Sequence, residues 1–185
     1  MKKSVLTILL LVFIASALYF VLGDNTDNDV QSNNNNSSQL DSDKNLSIGN
    51  SERYEDNIEL KDSDLEIGGN TNILGDIRVI NGDITIGNST TVEGNIYLEN
   101  GTLRIGGNGQ FKDSIELVSA ELIAGNSNHF DSITSDGEDI VLDGNNTVLG
   151  NISNPNGNLE VGNSNNFEGN VEVKDLEQGG HNTFK

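Results

Sequence analysis

Residues 65–83 read LEIGGNTNILGDIRVINGD, and residues 84–102 read ITIGNSTTVEGNIYLENGT. Set one beneath the other, the two stretches carry the same residue or the same type of residue at most positions. The unit recurs outward in both directions, with aliphatic starts at Leu46, Leu65, Ile84, Leu103, Leu122, Ile140, Leu159 and Leu176. The first five starts are nineteen residues apart, and the later spacings are 18, 19 and 17. Self-similarity at a short fixed period is the signature of a solenoid.

Numbering each unit from its aliphatic start gives a compact template. Position 3 is apolar at Ile48, Ile67, Ile86, Ile105, Ala124, Leu142 and Val161, and position 4 is mostly glycine. Position 9 is bulky: Tyr54, Ile73, Val92, Phe111, Phe130, Val148, Phe167 and Phe184. Positions 13 and 15 carry pairs such as Ile58 with Leu60, Ile77 with Val79, and Ile96 with Leu98, while Ile133 comes one place early. Positions 1/3 and 13/15 alternate with polar residues, the period of a strand with one buried face. Two or three residues are too few for an independent strand. They hold only when the same segment of the next coil bonds alongside, about 4.8 Å away. A helical reading would need spacings of three and four across Gly-Asn pairs, which are poor helix formers.

The fold expected is therefore all-β: a single-stranded parallel β-solenoid (β-helix) over 46–185, with about seven coils in a rod roughly 35 Å long. Matching side chains should form inward columns, position 9 among them, and Tyr97 at position 14 should point outward. Gly and Asn between strands should supply left-handed or tight corners. Inward spacings of 6, 6 and 7 depart from a strict hexapeptide rhythm, which points to a right-handed coil.

Ahead of the repeat, residues 24–45 hold four consecutive asparagines, Asn33–Asn36, and only Val30 and Leu40 as aliphatics. That segment cannot bury enough apolar surface to offset its ordering entropy, and it reads as a disordered tether. Before it, Lys2 and Lys3 precede an uncharged run from Val5 to Leu22. As a helix the run would span about 27 Å, close to a bilayer's hydrocarbon thickness. Residues 1–23 thus read as a signal peptide or a membrane anchor, and small residues at Ala15–Ala17 and Gly23 offer cleavage points. Either outcome carries the rest of the chain out of the cytoplasm.

Net charge is −19, and all 29 acidic residues lie beyond Gly23. Such a surface repels phosphate backbones, so nucleic acid is not an expected partner. Its simplest role is solubility. Cysteine is absent, which removes disulfides and thiolate metal sites.

Segments such as Val92-Glu93-Gly94-Asn95-Ile96 and Phe167-Glu168-Gly169-Asn170-Val171 resemble the V-x-G-N-I units of bactofilins, polymer-forming bacterial cytoskeletal proteins. Ile73–Ile77 and Val148–Ile152 fit the same unit. The resemblance spans about 46–185. It implies a right-handed triangular β-helix that polymerises end to end without nucleotide. The chain departs from that family in its export or anchor segment and in its asparagine content. Asn81-Gly82-Asp83-Ile84-Thr85-Ile86 also resembles adhesin-like β-solenoid domains of bacterial surfaces.

No catalytic constellation emerges, and no cofactor is expected. His129 and His181 stand in turns with no cysteine or paired ligand near, which places them in solvent. Arg53, Arg78, Arg104, Lys112 and Lys174 are dispersed rather than gathered with carboxylates as a polysaccharide-cleaving cleft would need. Ser135–Asp139 and Asn154–Asn158 replace the expected end of the unit in successive coils. Asp136, Glu138 and Asp139 are oxygen donors that could bind calcium, against the plainer reading of a bulge. The sequons at Asn88, Asn100, Asn145 and Asn151 follow from an asparagine-rich chain. The strongest functional expectation concerns the solenoid ends. Phe184 and Lys185 stand at the ring position of the last unit with no amphipathic helix or charged plug after them, so that face is expected either to stack on another copy or to be closed or frayed by Gly179–Lys185 itself. The alternatives are a binding module for glycan, calcium or a protein, and, more distantly, a carbohydrate-active enzyme.

Overall fold

The computed structural model describes residues 45–185. The segment 1–23, including Val5 and Leu22, and all of the tether but Asn45 lie outside the described residues.

The described chain is an all-β parallel solenoid of about seven turns, and it contains no helix. The first coil shows its logic. Strands Leu46–Ile48, Arg53–Tyr54 and Ile58–Lys61 occupy successive faces, and each pairs in parallel with the strand nineteen residues on. Leu46 faces Leu65, Tyr54 faces Ile73, and Ile58 faces Ile77. From the third coil onward the last strand of one coil often runs straight into the first of the next, as in Ile96–Ile105, Ile115–Ala124 and Ile152–Val161. The result is an eleven-stranded and an eight-stranded sheet.

Alternation within each strand turns one face inward. Ile58 and Leu60 are buried while Glu59 and Lys61 are exposed, and the same pattern recurs along the chain. Position 9 forms one buried column from Ile73 to Phe167, in which Phe111 stacks on Phe130 with ring centroids 5.1 Å apart. Tyr54 packs partly buried against the first end of that column, and Phe184 stacks on Phe167 at 4.7 Å. Tyr97 points outward as expected. Its ring lies under the Arg78 guanidinium, 4.1 Å from the centroid.

The early residue Ile133 does not break the column. It pairs with Ile115 below and Ile152 above, so the eighteen-residue coil absorbs its deletion in a turn.

The corners bear out the expectation for asparagine, with left-handed Asn70, Asn81, Asn100, Asn108 and Asn145, and alter it for glycine. Position 6 is left-handed in every coil, with φ near 60°, and the residues there are Ser51, Asn70, Ser89, Asn108, Ser127, Asn145, Ser164 and His181. Position 17 is left-handed at Asp62, Asn81, Asn100 and Ser119. Small polar residues, not glycine, take these conformations. Among the described glycines only Gly137 has a positive φ, and at 151° it is not the left-handed turn. The position-4 glycines serve close approach instead. A Cβ on Gly68 would stand 2.7 Å from the Gly49 backbone, and one on Gly87 would stand 2.6 Å from the Gly69 nitrogen.

Candidate functional site

Stacked coils leave two kinds of surface on which a function could be built: lateral rows of outward side chains, and the coil faces at either end. Polar columns determine what both can do.

Three corners carry side-chain caps that run from coil to coil. Asn45 Oδ1 accepts from the Asp64 amide at 3.0 Å, Asp64 Oδ1 from Asp83 at 2.9 Å, and Asp83 Oδ1 from Thr102 at 2.8 Å. At a second corner Asn57 receives the Asp76 amide at 2.9 Å and Asp76 receives that of Asn95 at 2.8 Å. At the third, Asn50 and Asn88 receive the amides of Gly69 and Gly107 at 2.8 and 2.7 Å. Asp64, Asp76 and Asp83 are therefore structural acceptors as well as surface charge. An ionised carboxylate accepts such bonds more strongly than an amide oxygen does.

The third corner has a second period. Position 5 reads Asn50, Gly69, Asn88, Gly107, Asn126, Gly144, Asn163, Gly180, and position 6 alternates Ser with Asn up to His181. Each Asn carboxamide accepts from the glycine amide one coil on, including Asn126 with Gly144 at 2.9 Å and Asn163 with Gly180 at 2.7 Å. A Cβ on Gly69, Gly107 or Gly144 would meet the carbonyl of the next Asn at about 3 Å. Asn and Gly must then alternate, and the true repeat of this corner is two coils.

Position 7 was not anticipated from the sequence, because a polar residue in a turn reads as exposed. Thr71, Thr90, Asn128, Asn146 and Asn165 are buried there. The Asn128 and Asn146 amides donate to Asn146 and Asn165 Oδ1, both at 2.8 Å, and the Asn165 amide donates to Asn182 Oδ1, also at 2.8 Å. The Nδ2 groups turn back to carbonyls, as from Asn128 to Gly106 and Gly125, both at 2.9 Å. Thr71 and Thr90 make the corresponding hydroxyl bonds to Gly49 and Gly68 at 2.9 and 3.1 Å. Reading position 7 as a column would have revealed it, since Asn recurs there in the last four coils.

The irregular coils bring no ligand set together. Asp136 spends Oδ1 on the Ser119 amide at 2.7 Å, while Glu138 and Asp139 stand exposed. Among the described residues no three His, Asp or Glu side chains are arranged to hold a metal. Ser135 and Asn154 instead interrupt the inward apolar row that runs from Leu60 to Leu117 and that Val173 resumes. Asn154 is fully buried. Its Nδ2 donates to Glu138 O at 2.7 Å, and its Oδ1 has no partner. A register shift between Asn154 and Asn158 accommodates Pro155, in line with the bulge reading. His129 and His181 are both exposed.

Arg53 pairs with Glu55 at 2.9 Å and Lys174 with Asp175 at 3.7 Å within a coil, while two other pairs run from coil to coil. Lys112 reaches Glu93 at 2.7 Å, and Lys185 reaches Glu168 at 3.1 Å. The Lys185 ammonium, then the Asn166 amide, hold the Glu168 carboxyl below the ordinary glutamate range. The Tyr97 hydroxyl is shifted up by its hydrogen bond to Glu99 and by burial, against the opposing Arg78 charge.

Among the described residues the last coil is the least covered. Leu176 and Phe184 are each 40% exposed, whereas Leu159 and Phe167 one coil below are buried. At the opposite end Leu46 and Tyr54 are partly covered. Comparison with protein-family models, with curated proteins and with solved structures finds no match to this chain.

Proposed function

We propose that this chain is a non-enzymatic structural scaffold of the cell exterior, a right-handed β-helix that self-associates through its coil ends in the manner that the bactofilin resemblance implies. The carrying observation is the exposed last coil among the described residues. Leu176 and Phe184 stand at the head of columns that are otherwise buried, with unpaired strand edges around them. Covering them with a second copy would bury apolar area and satisfy the edge. In this reading residues 1–23 deliver the protein to the membrane or beyond it, and 24–45 hold the solenoid away from the surface.

The test is a concentration series by sedimentation velocity. The native chain should form a ladder of oligomers, and Phe184→Glu should shift it to monomer. A strict monomer at all concentrations would defeat the proposal.

One observation favours a second reading, a monomeric surface-binding module of the adhesin-like type. Gln178 puts a polar side chain at position 3, which is apolar in the seven coils below, as a cap would. A monomer that retains binding to glycan or to cell surfaces would support this reading.

A further inference from the structure

We infer that the underside of the first coil is a docking surface, and that its occupant is the end of the chain's own tether. Residues 38–41, which lie outside the described residues, add a short parallel strand beneath Ile58–Lys61, with Leu40 in the inward row below Leu60.

Burial is the first support. A strand with a neighbour on one side only leaves its inward side chains partly open to water. Val171 and Val173 have a described strand below them and none above, and they are only partly buried. Ile58 and Leu60 hold the same two inward positions on the same face of the first coil, where the described partner is Ile77–Ile80 above. Ile58 is nevertheless 0% exposed and Leu60 only 6%. The side of that strand away from Ile77–Ile80 is therefore covered.

Chain direction says by what. In each described coil the strand that starts at position 13 leads through a corner into position 1 of the next. Asn45 already stands on that path, at position 19. Its Oδ1 accepts from the Asp64 amide at 3.0 Å, as Asp64 Oδ1 accepts from the Asp83 amide at 2.9 Å. The Leu46 amide donates to the Asp64 carbonyl at 2.9 Å. Coil geometry thus extends ahead of Leu46, and the residues next upstream on the path come from the face of Ile58–Lys61. The sequence there fits the row. Leu40 stands six residues before Leu46, and Leu60, Val79, Leu98 and Leu117 each stand five before the next start. Asp41-Ser42-Asp43 directly follows Leu40, and Asp62-Ser63-Asp64 follows Leu60 one residue later. The extra residue falls in a corner whose length varies elsewhere, since Val173 and Leu176 are three apart.

Backbone polarity supplies the readout. The Ile58 amide donates to Asp76 and the Asp62 amide to Ile80, both at 2.8 Å and both in the coil above. Alternation along the strand turns the amides of Glu59 and Lys61 to the opposite side, where the added strand would accept them. The inference leaves 24–37 as the tether and does not depend on self-association.

Amide hydrogen exchange, followed by NMR on the full-length protein, tests it. Glu59 and Lys61 should be protected as Arg78 and Ile80 are one coil above. Leu40→Asp should speed their exchange by about tenfold or more. Val30→Asp, in the remaining tether, should leave it unchanged. Free exchange at Glu59 and Lys61 in the native chain would overturn the strand. Protection that survives Leu40→Asp, that responds equally to both substitutions, or that fades on dilution would mean that something else covers the face, and would overturn it too.

Discussion

At Glu168 a single carboxylate reports whether the vertical pairing of rows persists in solution. Lys185 donates to it at 3.1 Å and Asn166 at 3.1 Å, and both contacts favour the ionised form. The folded-state pKa is depressed, so the contribution is present above the ordinary glutamate value and is lost as pH falls through the lower folded value. A carboxyl titration followed by NMR should place the Glu168 midpoint below the ordinary glutamate value. Lys185→Met should move it back up. A midpoint that is unchanged by the substitution would show that the pair does not form. The group is solvent-exposed, so the titration is the useful readout and little stability is at stake.

Among the elements, the inward polar column at position 7 shows how a turn can be as buried as a strand. Asn146 accepts from the Asn128 amide at 2.8 Å and donates to Asp143 O at 2.9 Å. Asn146→Ala removes both partners and strands buried groups, which costs roughly 2–3 kcal/mol. Asn146→Thr should cost distinctly less, because Thr71 and Thr90 fill the same column lower down. Urea unfolding followed by circular dichroism measures the difference, and equal losses would contradict the column. The apolar columns were legible in the sequence because Ile, Leu and Val recur there at fixed positions. Position 7 was not, because Thr and Asn differ in shape and only stacked geometry shows that both satisfy carbonyls of the coil below. The corner glycines were legible as corners, but their cause was misread. The left-handed conformations fall to Ser51, Asn70 and their successors, and Gly68 and Gly87 are needed because the backbone of the coil below lies too close for a Cβ.

At the largest scale a strongly acidic chain carries an exposed apolar last coil, and these oppose each other. A net charge of −19 repels a second copy over a distance set by the Debye length, about 10 Å at 0.1 M salt and about 3 Å at 1 M. The end contact itself is chiefly apolar and backbone bonding, which salt does not weaken to the same degree. Oligomers should therefore grow as sodium chloride rises from about 20 mM to about 500 mM, as read by light scattering. Dissociation over that range would mean that ion pairs hold the joint. At this scale the solenoid followed from the spacing of Leu46, Leu65, Ile84 and Leu103 alone. The function did not, because columns that build a rod leave the same residues whether it stands alone or in a filament.

The paired alternation of Asn50 with Gly69, and so on to Asn163 with Gly180, limits how such a chain can change its length. Removing or duplicating one winding would set carboxamide on carboxamide, or leave glycine above glycine with its amide uncapped. Removing or duplicating two restores the order everywhere. The molecule is thus built in even steps, and a lineage or a designer that lengthens it without a fault must copy windings in pairs.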